Sequence, residues 1–176
     1  MRNRMAVLSL VATAAAPALM SEAAAEERYY ADAGYTVFDG DGVTLAGATL
    51  RGGGHINDIF GLEAEGSFGT RDDQLEPGVE ARLNQQLAAY VTARLPVGTR
   101  AKVFTRLGYG SVEIRSQRPG LFGTTEEADF ELDGATLGVG GIYDVTRRLA
   151  LRADLSAFEG DEGSLNVVTA GVSVRF

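Results

Sequence analysis

The sequence predicts an all-β chain folded as an eight-stranded antiparallel up-and-down transmembrane β-barrel, and three observations predict it. Eight runs alternate apolar and polar residues with period two, the mark of strands with two unlike faces. The connections between runs are lopsided, short at one end of the predicted barrel and long and polar at the other. The N-terminus carries the features of an export signal. At 176 residues and 45% hydrophobic composition the chain suits one domain and is too apolar for a disordered one. With no Cys, disulfides contribute nothing, so closure of the sheet must hold the fold together. A net charge of −8 argues against nucleic acid as a partner, because phosphate binding needs concentrated Lys and Arg.

Residues 1–25 read as a signal peptide. Arg2 and Arg4 form the basic region, "MAVLSLVATAAAPALM" the apolar region, and Ala23 to Ala25 the small-residue cleavage site before Glu26. The apolar part is shorter than the ~20 residues of a spanning helix. The expected division is therefore a signal peptide over 1–25 and a barrel over 26–176.

The first run, "YYADAGYTVF", separates Tyr29, Ala31, Ala33, Tyr35 and Val37 from Tyr30, Asp32, Gly34, Thr36 and Phe38, and "DGDG" turns it. The second, "TLAGATLRGGGH", sets Ala46, Ala48 and Leu50 against Gly47, Thr49 and Arg51, and a turn at Ile56 to Asp58 leads into the third, "IFGLEAEGSFG". That run carries Glu63 and Glu65 opposite Leu62 and Ala64. The segment from Arg71 to Asn84 is too charged and irregular to read as strand. Runs four and five, "QLAAYVTARL" and "KVFTRLGYGSVEI", put Arg94 and Arg106 on the polar phase. A second polar segment, Arg115 to Asp129, reads as loop before the sixth run, "GATLGVGGIYD". The seventh, "LALRADLSAF", carries Arg152 and Asp154, and the eighth, "SLNVVTAGVSVRF", ends on Phe176. If the first run rises from the periplasm, the short turns and both termini lie at the periplasmic end and the two polar segments lie outside.

Period two alone does not say which face is inside. In a soluble barrel such as a lipocalin the apolar face lines the interior, and in a membrane barrel the faces exchange. The charges decide: the polar phase holds Asp32, Glu63, Glu65 and Asp154 against Arg51, Arg94, Arg106 and Arg152. Four against four is the balance that a narrow lumen demands, since unpaired buried charge is costly. Pairing across the Ile56 to Asp58 turn is expected to place Arg51 opposite Glu63. Tyr29, Phe60, Tyr143 and Phe176 at one margin, and Tyr35, Phe68 and Tyr109 at the other, suit interfacial girdles. Phe38, Phe104 and Phe158 fall on the lumen phase and find no place in that picture.

The stretches "HINDIFGLEAEGSFG", "LGYG", "GATLGVGGIYDVTRRLALRADLSAF" and "GVSVRF" resemble the small OmpA-like or OmpX-like outer-membrane barrels, also called porin-family β-barrel proteins, over Tyr29 to Phe176. The resemblance implies an outer-membrane domain of a Gram-negative bacterium with a polar, largely plugged interior. It makes Phe176 the terminal aromatic signal read by the barrel-assembly machinery. The chain ends at the barrel, so the peptidoglycan-binding domain of full OmpA proteins is not expected and cell-wall tethering is not carried over.

An enzyme that modifies lipid A would need a base beside a serine near the outer leaflet. His55 is the single histidine and the topology puts it by a periplasmic turn, out of reach of Ser67, so no catalytic residue is expected. "GVGGIYD" lacks the spacing and context of a nucleotide loop. The acidic stretches Asp39 to Gly42 and Glu159 to Gly163 read as ordinary turns, and neither a metal nor another cofactor is expected. The expected partners are the lipid bilayer, lipopolysaccharide, the assembly machinery during biogenesis and a surface ligand at the two polar segments. The expected protein is a monomer with a structural, envelope-integrity or surface-interaction role. A narrow pore for small solutes and a lipid-modifying enzyme are the alternatives.

Overall fold

A computed structural model describes residues 28–40, 43–76, 79–119, 125–160 and 163–176. The predicted signal peptide, Asp41 and Gly42 of "DGDG" and Asp161 and Glu162 of "EGDEG" lie outside the described residues. Eight antiparallel strands form a closed barrel in chain order: β1 (Tyr29–Gly40), β2 (Val43–His55), β3 (Phe60–Glu76), β4 (Val79–Pro96), β5 (Ala101–Pro119), β6 (Thr125–Asp144), β7 (Leu149–Gly160) and β8 (Gly163–Arg175). β1 pairs with β8 from Tyr30↔Arg175 to Asp39↔Asn166, which closes the sheet. The backbone bonds Tyr29 N to Phe176 O (3.2 Å) and Phe176 N to Tyr29 O (3.0 Å) complete the seam at the chain ends.

The polarity of the barrel is inverted relative to a water-soluble fold. Arg106 is 1% exposed while its neighbour Leu107 is 60% exposed, and the same alternation runs through Leu137, Val139 and Leu155 on the outside. A contiguous apolar exterior of this kind needs an apolar solvent, and a closed barrel meets lipid with no unpaired strand edge. The soluble alternative is thereby set aside. Tyr29, Tyr35, Phe60, Phe68, Tyr109, Tyr143 and Phe176 all point outward.

The two polar segments are corrected. Residues 71–84 and 115–129 are not loops for most of their length: they extend β3, β4, β5 and β6. Asp72 lies opposite Arg82, Arg115 opposite Asp129 and Arg118 opposite Glu126 in the ladders. Outside a bilayer both faces of a strand meet water, so the apolar alternation disappears while backbone pairing persists. β3 to β6 have 17 to 20 residues each, against 12 or 13 in β1, β2, β7 and β8. They rise as a four-stranded sheet above the rest. Its outer strands are paired on one side alone among the described residues, because β2 leaves β3 at Arg71 and β7 leaves β6 at Gly134.

The β2–β3 register also differs from expectation. Arg51 faces Glu65, and Glu63 faces Gly53. The turn is two residues longer than the sequence suggests, with His55 opposite Gly61: Ile56 N donates to Phe60 O (2.9 Å), and Asn57 Oδ1 accepts the N–H groups of Ile59 (2.9 Å) and Phe60 (2.7 Å). Moving the turn centre by one residue shifts the pairing by two, so both glutamates keep their face.

Candidate functional site

The lumen is built from every second residue of each strand, and it falls into three layers. Nearest the short-turn end is a layer of charge. Arg51 donates through Nε to Glu65 and through Nη1 and Nη2 to both oxygens of Asp154 (2.8 and 3.1 Å). Arg106 Nη1 donates to Glu65 Oε2 (2.6 Å), and its Nη2 lies 2.9 Å from Asp154 Oδ1. Arg152 Nη1 joins Asp32 (2.7 Å) to Glu63 (2.5 Å). Each guanidinium thus bridges carboxylates from different strands, which suits its planar fork of five donors. Tyr30 and Tyr90 add hydroxyl donors to Glu63 (2.6 Å) and Glu65 (3.2 Å). Their rings, with Phe104, also carry the cations: Arg106 Cζ sits 4.5 Å from the Tyr90 centroid and Arg152 Cζ 4.3 Å from that of Phe104.

Above the charge lies a belt of hydroxyls. Gln86 Nε2 donates to Glu65 Oε1 (3.0 Å), so its Oε1 is the acceptor for Ser67 Oγ (2.7 Å). Ser67 has one proton, and its use on Gln86 makes Thr49 the donor at 2.7 Å. The same reasoning makes Thr36 the donor to Thr49 (2.5 Å) and Thr169 the donor to Thr36 (2.8 Å). Protons therefore point one way across five strands, toward the carboxylate of Glu65. Higher still, Phe38, Leu45, Leu83, Val112, Phe158 and Val167 form a buried apolar cluster, flanked by Ile114, Leu132 and Leu165. This accounts for Phe38 and Phe158, whose lumen phase the girdle reading leaves without a place.

Of the eight charged residues singled out in the sequence, Asp32, Arg51, Glu63, Glu65, Arg106, Arg152 and Asp154 come together here and all are buried. Arg94 does not join them. It lies at the short-turn mouth, with Nη1 2.5 Å from His55 Nε2 and Nε donating to the Asp58 carbonyl (3.2 Å). The layer therefore holds four carboxylates against three guanidinium groups rather than four, and Asp32 Oδ1 has no hydrogen-bond partner among the described residues. His55 stacks on Tyr30 with ring centroids 5.3 Å apart. Its Nε2 accepts from Arg94 and its Nδ1 has no partner among the described residues, so none of their serine hydroxyls is bonded to it. Among the described residues no group of three or more His, Asp or Glu is arranged to hold a metal ion. Tyr30, Tyr90, Gln86 and the hydroxyl belt were legible only as lumen-phase residues, because alternation tells face and not bonding partner.

An antiparallel barrel with ion pairs inside and leucines outside is the architecture of an outer-membrane barrel, and strands rather than helices make the crossing. The chain belongs to the outer membrane protein beta-barrel domain family, whose model matches residues 5–176. It is similar in structure to Ail, the attachment invasion locus protein of Yersinia pestis, with 14% identity, 86% of this chain and 100% of that chain covered, and a TM-score of 0.62. A second structure of that protein holds the heparin analogue sucrose octasulfate. Neisserial surface protein A is 19% identical, with 86% and 98% covered and a TM-score of 0.57. The N-terminal barrel of Pseudomonas aeruginosa OprF is 14% identical over the same shares, with a TM-score of 0.56. No curated protein matches the chain. The protein is an outer-membrane β-barrel seated in the lipid bilayer.

Proposed function

We propose that the protein is a non-enzymatic, monomeric surface-interaction barrel: its lumen is plugged, and it engages a partner through the four-stranded sheet that rises from β3 to β6. Residues 1–25 act as the cleaved export signal, Phe176 as the assembly signal, and the short turns face the periplasm with the raised sheet outside among the lipopolysaccharide. The observation that carries this reading is the open backbone of β6 from Thr125 to Asp133, which has β5 on one side and no strand on the other among the described residues. A free strand edge offers a row of donors and acceptors to any extended segment. Residues 71–84 and 113–133 hold ten acidic residues against four basic ones. The partner that this charge selects is a basic extended segment, not a polyanion of the kind found on Ail.

The test is binding to the full chain in zwitterionic nanodiscs, with an alternating Lys-Val octapeptide and the same peptide N-methylated at every second residue as probes. Binding of the plain peptide is expected to weaken about tenfold on N-methylation, which removes the pairing donors. It is also expected to vanish when residues 72–81 and 116–128 are each replaced by an Asn-Gly turn. Equal affinity for the two peptides, or retention of sucrose octasulfate in their place, would contradict the reading.

A further inference from the structure

The net charge of −8 conceals an asymmetry along the barrel axis. The short-turn end, made of residues 28, 54–60, 92–102, 142–149 and 173–176, holds seven Arg and Lys residues against Asp58 and Asp144. Arg175 and Lys102 share Asp144, and Arg94 is taken by His55 and the Asp58 carbonyl. Arg100, Arg147 and Arg148 are exposed, and their side chains make no ion pair among the described residues.

The three connecting turns at this end share a second feature. Each is closed by a hydrogen bond from its first residue to the fifth: Ile56 N to Phe60 O (2.9 Å), Val97 N to Ala101 O (2.8 Å) and Val145 N to Leu149 O (2.9 Å). Each first residue is an exposed β-branched apolar side chain, at 63%, 57% and 47% for Ile56, Val97 and Val145. Closure of the turn asks only for the backbone, so it does not explain apolar side chains held out beyond the strands. Just above them the wall presents outward-facing Tyr29, Tyr143 and Phe176.

Arginine beside exposed apolar residues, below a ring of aromatics, fits the headgroup region of a bilayer: the apolar groups reach the acyl boundary while guanidinium groups pair with phosphodiesters. We infer that the short-turn end is a docking surface for anionic phospholipid headgroups, such as phosphatidylglycerol, in the leaflet it enters. A soluble polyanion would satisfy the arginines but leave Ile56, Val97 and Val145 in water. The continuity of these three residues with the lipid-facing wall is what favours the lipid. The surface also orients the barrel, because the opposite sheet has an acidic excess that such headgroups repel.

Native mass spectrometry of the full chain, released from micelles doped equally with phosphatidylglycerol and phosphatidylcholine, tests this. Phosphatidylglycerol is expected to be retained about tenfold over phosphatidylcholine, and the combined Arg100→Gln, Arg147→Gln and Arg148→Gln variant to fall to near parity. Arg71→Gln with Arg82→Gln, a charge change of the same sign at the other end, is expected to leave the preference intact. Val97→Ser with Val145→Ser is expected to weaken phosphatidylglycerol retention without altering binding of inositol hexakisphosphate. Heat-modifiable gel migration verifies that each variant is folded. Equal retention of the two lipids by the unaltered protein would overturn the proposal. So would a phosphatidylglycerol preference that survives the arginine changes, or one unaffected by the two serines, which would mark a site for any soluble polyanion.

Discussion

Replacing Arg106 with methionine is expected to cost about 3–5 kcal/mol of folding stability, the range for removing one partner of a buried ion network. The loss is large because of what stays behind. Arg106 holds Glu65 at 2.6 Å and Asp154 at 2.9 Å, and donates through Nε and Nη2 to Ser156 Oγ (3.0 and 2.8 Å). Its removal leaves four buried carboxylates facing two guanidinium groups. The measurement is the urea midpoint of the barrel in lipid vesicles, read by circular dichroism. Adding Glu65→Gln to the same chain removes one of the stranded charges while keeping an acceptor for Tyr90, and is expected to recover about half of the loss. A double variant no more stable than the single one would mean that the network does not act through charge pairing.

Phe158→Ala is expected to cost about 3–5 kcal/mol by opening a cavity in the apolar cluster. Phe158 is 4% exposed and packs with Phe38, Leu83 and Val167 across the barrel. The two losses arise in separate layers, the hydroxyl belt lying between them. Phe158→Ala and Arg106→Met are therefore expected to add within about 0.5 kcal/mol. Strong coupling between them would show that the layers do not behave as independent units.

How much of this was legible in the sequence depended on where a residue sits relative to the bilayer. The run "YYADAGYTVF" foretold β1 from its first residue, and "LALRADLSAF" did the same for β7. Lipid on one side and a packed lumen on the other force unlike side chains onto alternate positions. Beyond the bilayer that force vanishes. Arg71 to Glu76 and Arg115 to Pro119 therefore gave no periodic signal, although their backbones continue the same strands. Face was legible where depth was not. Arg94 shares the lumen phase with Arg106, yet it lies nearer the turn end of the barrel and joins His55 instead of the carboxylates. Phe38 and Phe158 defeated the polar-lumen expectation for the same reason, since nothing in alternation says that the lumen turns apolar above Thr36 and Ser156. The two-residue register shift at Arg51 came from Asn57, whose side chain accepts two backbone N–H groups and lengthens the turn.

Single-channel recording of the purified full chain in a planar bilayer of zwitterionic lipid tests the central functional claim most directly. If the lumen is plugged as proposed, the three stacked layers of buried side chains leave ions no path, and the bilayer is expected to stay silent, with no resolved steps at any applied potential up to about 100 mV. The Phe158→Ala variant is expected to be equally silent, because on the same proposal the arginine layer closes the lumen independently. Regular conductance steps from the unaltered protein would contradict the plugged lumen and make the protein a pore.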